Sequence, residues 1–150
     1  MKKRLLLIAF VLTVLLCMAC GCQMDLSHKH YVNNYGVCQQ CQEDQSIVLT
    51  KNAQGEYLSG DLQLGTISDT IIRFVANGER GVTVAVECET SEVKDVTLYS
   101  KTSAYMCGGT STLTWENGLV AGQTYYLRLR MKQAGVTRVS VTPIAVTDCE

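Results

Sequence analysis

From Ser46 onward the chain alternates apolar and polar residues with a period of two. Val82, Val84, Val86 and Cys88 interleave with Thr83, Ala85, Glu87 and Glu89; Tyr125, Leu127, Leu129 and Met131 with Tyr126, Arg128 and Arg130; Val139 and Val141 with Arg138, Ser140 and Thr142. Successive side chains of a strand point to opposite faces, so this alternation predicts antiparallel strands with one face buried and one wet. Further strands are expected at 47–50, 56–58, 61–64, 70–76, 93–100 and 111–116, separated by turn signals at Asn77-Gly78, Gly108-Gly109, Asn117-Gly118 and Gly122. No stretch keeps a helical period over three turns. Eight or nine short strands in roughly a hundred residues predict an all-β, antiparallel, jelly-roll-like sandwich over residues 46–150. Its expected core includes Val84, Val86, Leu98, Leu127, Leu129 and Val141.

The first twenty-two residues break the pattern. Lys2-Lys3-Arg4 precedes an uncharged run at 5–16 and then small residues, the three parts of a secretory signal. The run is shorter than the ~20 apolar residues that cross about 30 Å of hydrocarbon; counting on through Met18 and Ala19 keeps an uncleaved N-terminal anchor as an alternative. Cys17-Met18-Ala19-Cys20-Gly21-Cys22 resembles the lipobox of bacterial lipoproteins, where small residues precede a cysteine that receives a diacylglyceryl thioether before cleavage. The resemblance implies a covalent lipid on Cys22 or on Cys20; before Cys20, Cys17 stands where an aliphatic residue is usual. A diacyl group supplies the two chains that stable attachment requires, at about 0.8 kcal/mol per buried methylene. Residues 1–22 are therefore expected to be signal and anchor, placing the protein at the extracytoplasmic face of a bacterial cell membrane. A signal without lipid, releasing the protein, is the alternative. Loss of Lys2, Lys3 and Arg4 takes the net charge from −1 to −4.

Residues 23–45 hold both histidines of the chain, His28 and His30, followed by Cys38-Gln39-Gln40-Cys41. Asn33-Asn34 and Gly36 favour a turn before the cysteine pair. In an extended segment His28 and His30 face the same side, and a Cys-x-x-Cys turn converges two thiolates, so the four can hold zinc tetrahedrally at about 2.0–2.3 Å. The segment resembles the half zinc-ribbon inserts of clostridial surface and secreted proteins, which read Cys-x-x-His-x-Tyr, a glycine-containing turn, then Cys-x-x-Cys-Gly. His28 or His30, Tyr31, Gly36, Cys38 and Cys41 fall on that pattern, and Gln42 stands where the final glycine is usual. A structural zinc knuckle is expected; a Cys38–Cys41 disulfide and a reduced, unstructured tether are the alternatives. A redox-active pair is disfavoured, since no βαβ pattern surrounds it. With Cys22 lipidated five cysteines remain, and with Cys20 lipidated six.

The stretch from Gly60 to Ile144 resembles the bacterial pre-peptidase C-terminal domain, a jelly-roll sandwich appended to secreted peptidases. GDLQLGTISDTIIRFVANGERGVTVAVE resembles its opening, VKDVTLYS its central strand, and LVAGQTYYLRLRMKQAGVTRVSVTPI its closing hairpin of paired strands. Some such domains bind calcium, but the aspartates of that pattern are sparse: Asp69 and Asp95 stand nearly alone.

Thirteen Lys+Arg against fourteen Asp+Glu exclude the basic excess of a nucleic-acid binder. No histidine lies beyond residue 30, so Ser-His-Asp and Cys-His catalysis lack their base within the sandwich. Cys107, beside Gly108-Gly109 in an expected loop, has no base of its own; a Cys88–Cys107 disulfide is the expectation. Trp115, next to the Asn117-Gly118 turn, and Tyr105, in the Cys107 loop, would offer stacking faces to a glycan or peptide if they share one edge. Trp115 as a core anchor is the alternative. The expected function is a non-catalytic, membrane-anchored module for an envelope glycan or protein partner. A purely structural envelope lipoprotein and a secreted accessory domain without lipid are the other readings.

Overall fold

A computed structural model describes residues 32–101 and 105–144. Cys20, Cys22, His28, His30 and Cys149 lie outside the described residues.

Eleven strands form two packed sheets: β1 (Ile47–Val48), β2 (Thr50–Lys51), β3 (Tyr57–Leu58), β4 (Leu62–Leu64), β5 (Thr70–Val75), β6 (Val82–Cys88), β7 (Glu92–Ser100), β8 (Cys107–Gly109), β9 (Thr112–Trp115), β10 (Thr124–Gln133) and β11 (Gly135–Pro143). The first sheet runs β1-β5-β10-β7-β8 and the second β2-β3-β11-β6-β9, with β4 also against β11. Every pairing is antiparallel except that of β1 with β5. The expected all-β sandwich is thus the fold.

Alternation places the core between the sheets. Val84, Leu98, Leu127, Leu129 and Val141 are fully buried there, and Val86 nearly so. Ile72, Phe74, Val82, Val96 and Val139 complete the centre, and full burial of each such side chain contributes about 1.5–3 kcal/mol. Phe74 packs between Tyr57 and Tyr125, with ring centroids at 5.0 and 5.9 Å.

Chain neighbours mostly sit on facing sheets. β10 and β11 do not form the closing hairpin expected from the pre-peptidase resemblance: β10 pairs with β5 and β7, whereas β11 pairs with β3, β4 and β6. The chain crosses between sheets at Ala134, and a side chain at Gly135 would run into Thr90. The Cys107-Gly108-Gly109 stretch, expected as loop and turn, is a strand along β7. Here the glycines permit close approach: a Cβ on Gly109 would strike the Thr112 carbonyl as the chain turns into β9.

One buried carboxylate fixes the loop between β5 and β6. Glu79, its side chain only 7% exposed, accepts hydrogen bonds from the Tyr57 hydroxyl at 2.7 Å, the Lys51 ammonium at 3.3 Å and the Asn77 amide at 2.8 Å. Partial burial works against its charge, but the bonds from Tyr57, the local backbone amides and Lys51 outweigh it and hold the carboxyl below its ordinary range. Burial and then Glu79 push the Tyr57 phenol above its ordinary value.

Candidate functional site

Part of the outer face of the first sheet is covered by the chain itself. Ile71, Tyr99 and Tyr126 form a second small cluster there, closed by Val32 and Tyr35. Tyr35 meets Tyr126 edge-on at 5.2 Å. Arg128 lies over the Tyr99 ring at 5.1 Å and donates to the Asn34 side chain at 3.3 Å. Asp44 pairs with Arg73 at 2.9 Å, and hydrogen bonds from the Ser46 hydroxyl and amide, with Arg73 beside them, hold its carboxyl low. Residues 32–46 therefore lie along the sandwich.

Within that segment the cysteine pair sits on a tight turn. Bridges join Val32 to Cys38 and Val37 to Asp44, the Gln42 amide donates to the Cys38 carbonyl at 2.9 Å, and the Cys38 amide to the Glu43 carbonyl at 2.8 Å. Cys38 is fully buried. Gln42 adopts φ 62° and is, among the described residues, the one non-glycine with positive φ. A positive φ is a conformation that glycine adopts at no steric cost and a glutamine adopts only with strain. Gly36, at φ 80°, is required twice over, since a Cβ there would lie 2.6 Å from that of Ser46. The Glu43 backbone lowers the Cys41 thiol pKa, but desolvation, the hydrogen bond with Cys38 and the neighbouring charges of Cys38 and Glu43 leave it above its ordinary value. Two convergent thiols on such a turn suit half of a zinc site. Among the described residues no group of three or more His, Cys, Asp or Glu side chains could hold a metal, and any further ligands, His28 and His30 included, lie outside them.

The other residues singled out from sequence are separated. Trp115 shares the inward parity of Leu113 on β9, packs against the core, and donates its indole N–H to the Gly118 carbonyl at 3.0 Å. Tyr105 is 64% exposed and meets Tyr99 edge-on at 6.2 Å, over the outer face of the first sheet. Trp115 and Tyr105 thus do not share one stacking face. The expected Cys88–Cys107 bridge is not formed in this structure, where both thiols are free. Cys88 is exposed at the end of β6, opposite Thr137 in the second sheet, whereas Cys107 lies opposite Leu98 in the first. The inward alternation of β6 stops at Val86 because the strand runs on past the core. Burial pushes the Cys107 thiol up, away from the thiolate a nucleophile needs.

The outer face of the second sheet is open, and it carries a groove of about 240 Å³ lined by Leu58, Gly60, Glu87, Arg138, Val139 and Ser140. The register explains the assembly. Ser140 stands opposite Leu58 on one side and Ala85 on the other, and Arg138 opposite Glu87. Because Val84, Val86, Val139 and Val141 point inward, these intervening residues share the outer face. Leu58 is 40% exposed. Arg138 leans away from Glu87: its Nε donates to Asp61 and its Nη2 lies 3.7 Å from Glu89. That pairing holds Asp61 below and Arg138 above their ordinary values. Sequence reading passed over this groove, since its members come from three strands and each looks like an ordinary wet-face residue. An exposed leucine at an outward position was the available signal.

No family model matches the chain, and no curated protein matches it; the likenesses to the lipobox, the half zinc ribbon and the pre-peptidase C-terminal domain rest on the residues quoted above. Among solved structures the chain is similar to PliG of Aeromonas hydrophila, a periplasmic lysozyme inhibitor of g-type lysozyme, at 11% identity and a TM-score of 0.49, over 65% of this chain and 94% of that one.

Proposed function

We propose that this protein is a non-catalytic, lipid-tethered module outside the bacterial cytoplasm that binds a partner protein through the open face of its second sheet. The observation that carries the reading is the asymmetry of the two outer faces. Residues 32–46 pack on part of the first, over Ile71, Tyr99 and Tyr126, whereas the second carries no such segment among the described residues and leaves a groove with an exposed leucine and a polar rim. The lipid on Cys22 or Cys20 and a structural zinc on Cys38 and Cys41, completed by His28 and His30, belong to the same proposal. They are supported by the lipobox-like and knuckle-like sequences and by the turn at Gln42.

The test is site-specific photo-cross-linking in intact host cells. A photoreactive residue at Leu58 should give one discrete protein adduct, and the same residue at Lys94, an exposed position of β7 in the other sheet, none. Equal adducts from both positions, or none from either, would reject the binding face. Detergent-phase partitioning that is lost in the Cys20→Ser/Cys22→Ser double variant checks the tether in the same cells.

A further inference from the structure

The groove is sized for one side chain. Pockets that take drug-sized ligands run to about 300–1,000 Å³, and this one holds about 240 Å³. Its walls combine an aliphatic surface with carboxylate. Leu58 supplies exposed hydrocarbon, and the side of Gly60 where a Cβ would stand is open for 4 Å. Of the four charged groups at this end of the sheet, Asp61, Glu87 and Glu89 are anionic and Arg138 alone is cationic. Arg138 is already taken by Asp61 and Glu89. Glu87, exposed and directly opposite Arg138 in register, adds to the negative field on Arg138 but makes no hydrogen bond or close ion pair among the described residues, and the Ser140 hydroxyl makes no hydrogen bond among them. An anionic ligand would meet surplus negative charge and no unengaged cation. A cation on an aliphatic stem meets hydrocarbon along its length and, at its end, a carboxylate whose oxygens are not yet hydrogen-bonded.

Resting on the binding-module reading above, we infer that the groove receives an arginine side chain of the partner protein, its stem along Leu58 and its guanidinium on Glu87 and Ser140. Arginine fits better than lysine because a guanidinium is more weakly hydrated and matches both oxygens of a carboxylate. Arginine is also among the residues that most often anchor protein interfaces. The partner surface is accordingly basic, complementary to the Asp61, Glu87 and Glu89 end of the face.

The test titrates the purified full chain with Nα-acetyl-arginine amide and follows amide chemical shifts. Shifts should appear at Leu58, Gly60, Glu87 and Ser140, saturating in the millimolar range expected of one side chain without the rest of an interface. The uncharged isostere Nα-acetyl-citrulline amide should leave them in place. Glu87→Gln, at an exposed position, should keep the remaining spectrum and weaken the response at least about fivefold, as expected for loss of a charge-assisted hydrogen bond. Equal shifts with citrulline amide, an unchanged response in Glu87→Gln, or no shifts would overturn the arginine assignment. A position-58 cross-link without an arginine response would reject the assignment and leave the module reading standing; absence of both would remove both.

Discussion

Replacing Glu79 with glutamine removes one negative charge from the loop that joins β5 to β6. Three donors converge on that carboxylate, and a hydrogen bond to a charged group contributes about 1.5–3 kcal/mol where its loss leaves a buried donor unpaired. Two of the three donors have a fallback. The Tyr57 hydroxyl also lies 3.0 Å from the Val75 carbonyl and can donate there, and the Asn77 amide sits in an exposed loop where water reaches it. Lys51 keeps a partly exposed ammonium. Glu79→Gln should therefore cost about 1–2 kcal/mol, well below the 3–5 kcal/mol of orphaning a buried charge. The melting temperature should fall by roughly 4–8 °C for each of those kcal/mol. The pH dependence has a fixed sign. Glu79 titrates lower in the folded chain than its unfolded value of about 4.3, so its contribution is present above that value and disappears as pH falls through the folded one. Tyr57 is raised, so its share is present below about pH 10 and fades as pH rises further. Urea denaturation of both proteins at pH 7 and near pH 3 measures this. The gap between them should be larger at pH 7 than near pH 3. A gap under 0.5 kcal/mol at pH 7, or one of equal size at both values, would refute the network as described. Tyr57 is the inward neighbour of Leu58 on β3, so the same network holds the groove's leucine in its outward orientation.

Leu127→Ala, at a fully buried position of β10, should cost about 2–5 kcal/mol by equilibrium unfolding, whereas a cost below half a kcal/mol would mean the strand is out of register by one residue. Gln42→Gly should stabilise the 32–46 segment by about 1 kcal/mol, because an L-residue in the left-handed region carries a penalty of that order, and amide hydrogen exchange at Val37 and Cys38 should slow accordingly. Faster exchange there would show that the Gln42 side chain, which donates to the Gln39 carbonyl at 3.0 Å, holds the turn more than its backbone strains it.

The strands were legible because a sandwich imposes its period on every residue it buries, so Val82 to Val86 and Tyr125 to Met131 announce both their conformation and their inward face. The alternation failed where the physics differs. Gly108-Gly109 lie in a strand and not at the turn itself: Gly108 lies close to the Val96 carbonyl of β7, and Gly109 to the Thr112 carbonyl across the bend at 110–111. Tyr99 and Tyr126 hold outward positions yet are buried, since tyrosine suits either environment and only the distant Val32 and Tyr35 decide which it meets. Which strands pair was not legible: β10 and β11, one residue apart, belong to different sheets. At the candidate site, the cysteine turn was visible in its spacing, and the structure adds only its left-handed residue. The groove was invisible because Leu58, Glu87 and Arg138 meet only through the register of three strands.

The edges of the two sheets are short. β1, β2, β4, β8 and β9, which stand at them, run two to four residues each, and the chain steps from one sheet to the other at Leu49 and again between β8 and β9. An incoming strand needs a run of unpaired backbone donors and acceptors to template on, and none of these edges offers one of useful length. Two consequences follow for the described residues. Strand swapping and edge-to-edge pairing along these edge strands are accordingly disfavoured. For the proposed binding module, docking by strand addition to these edges is likewise disfavoured, which leaves the side chains of a face to carry recognition.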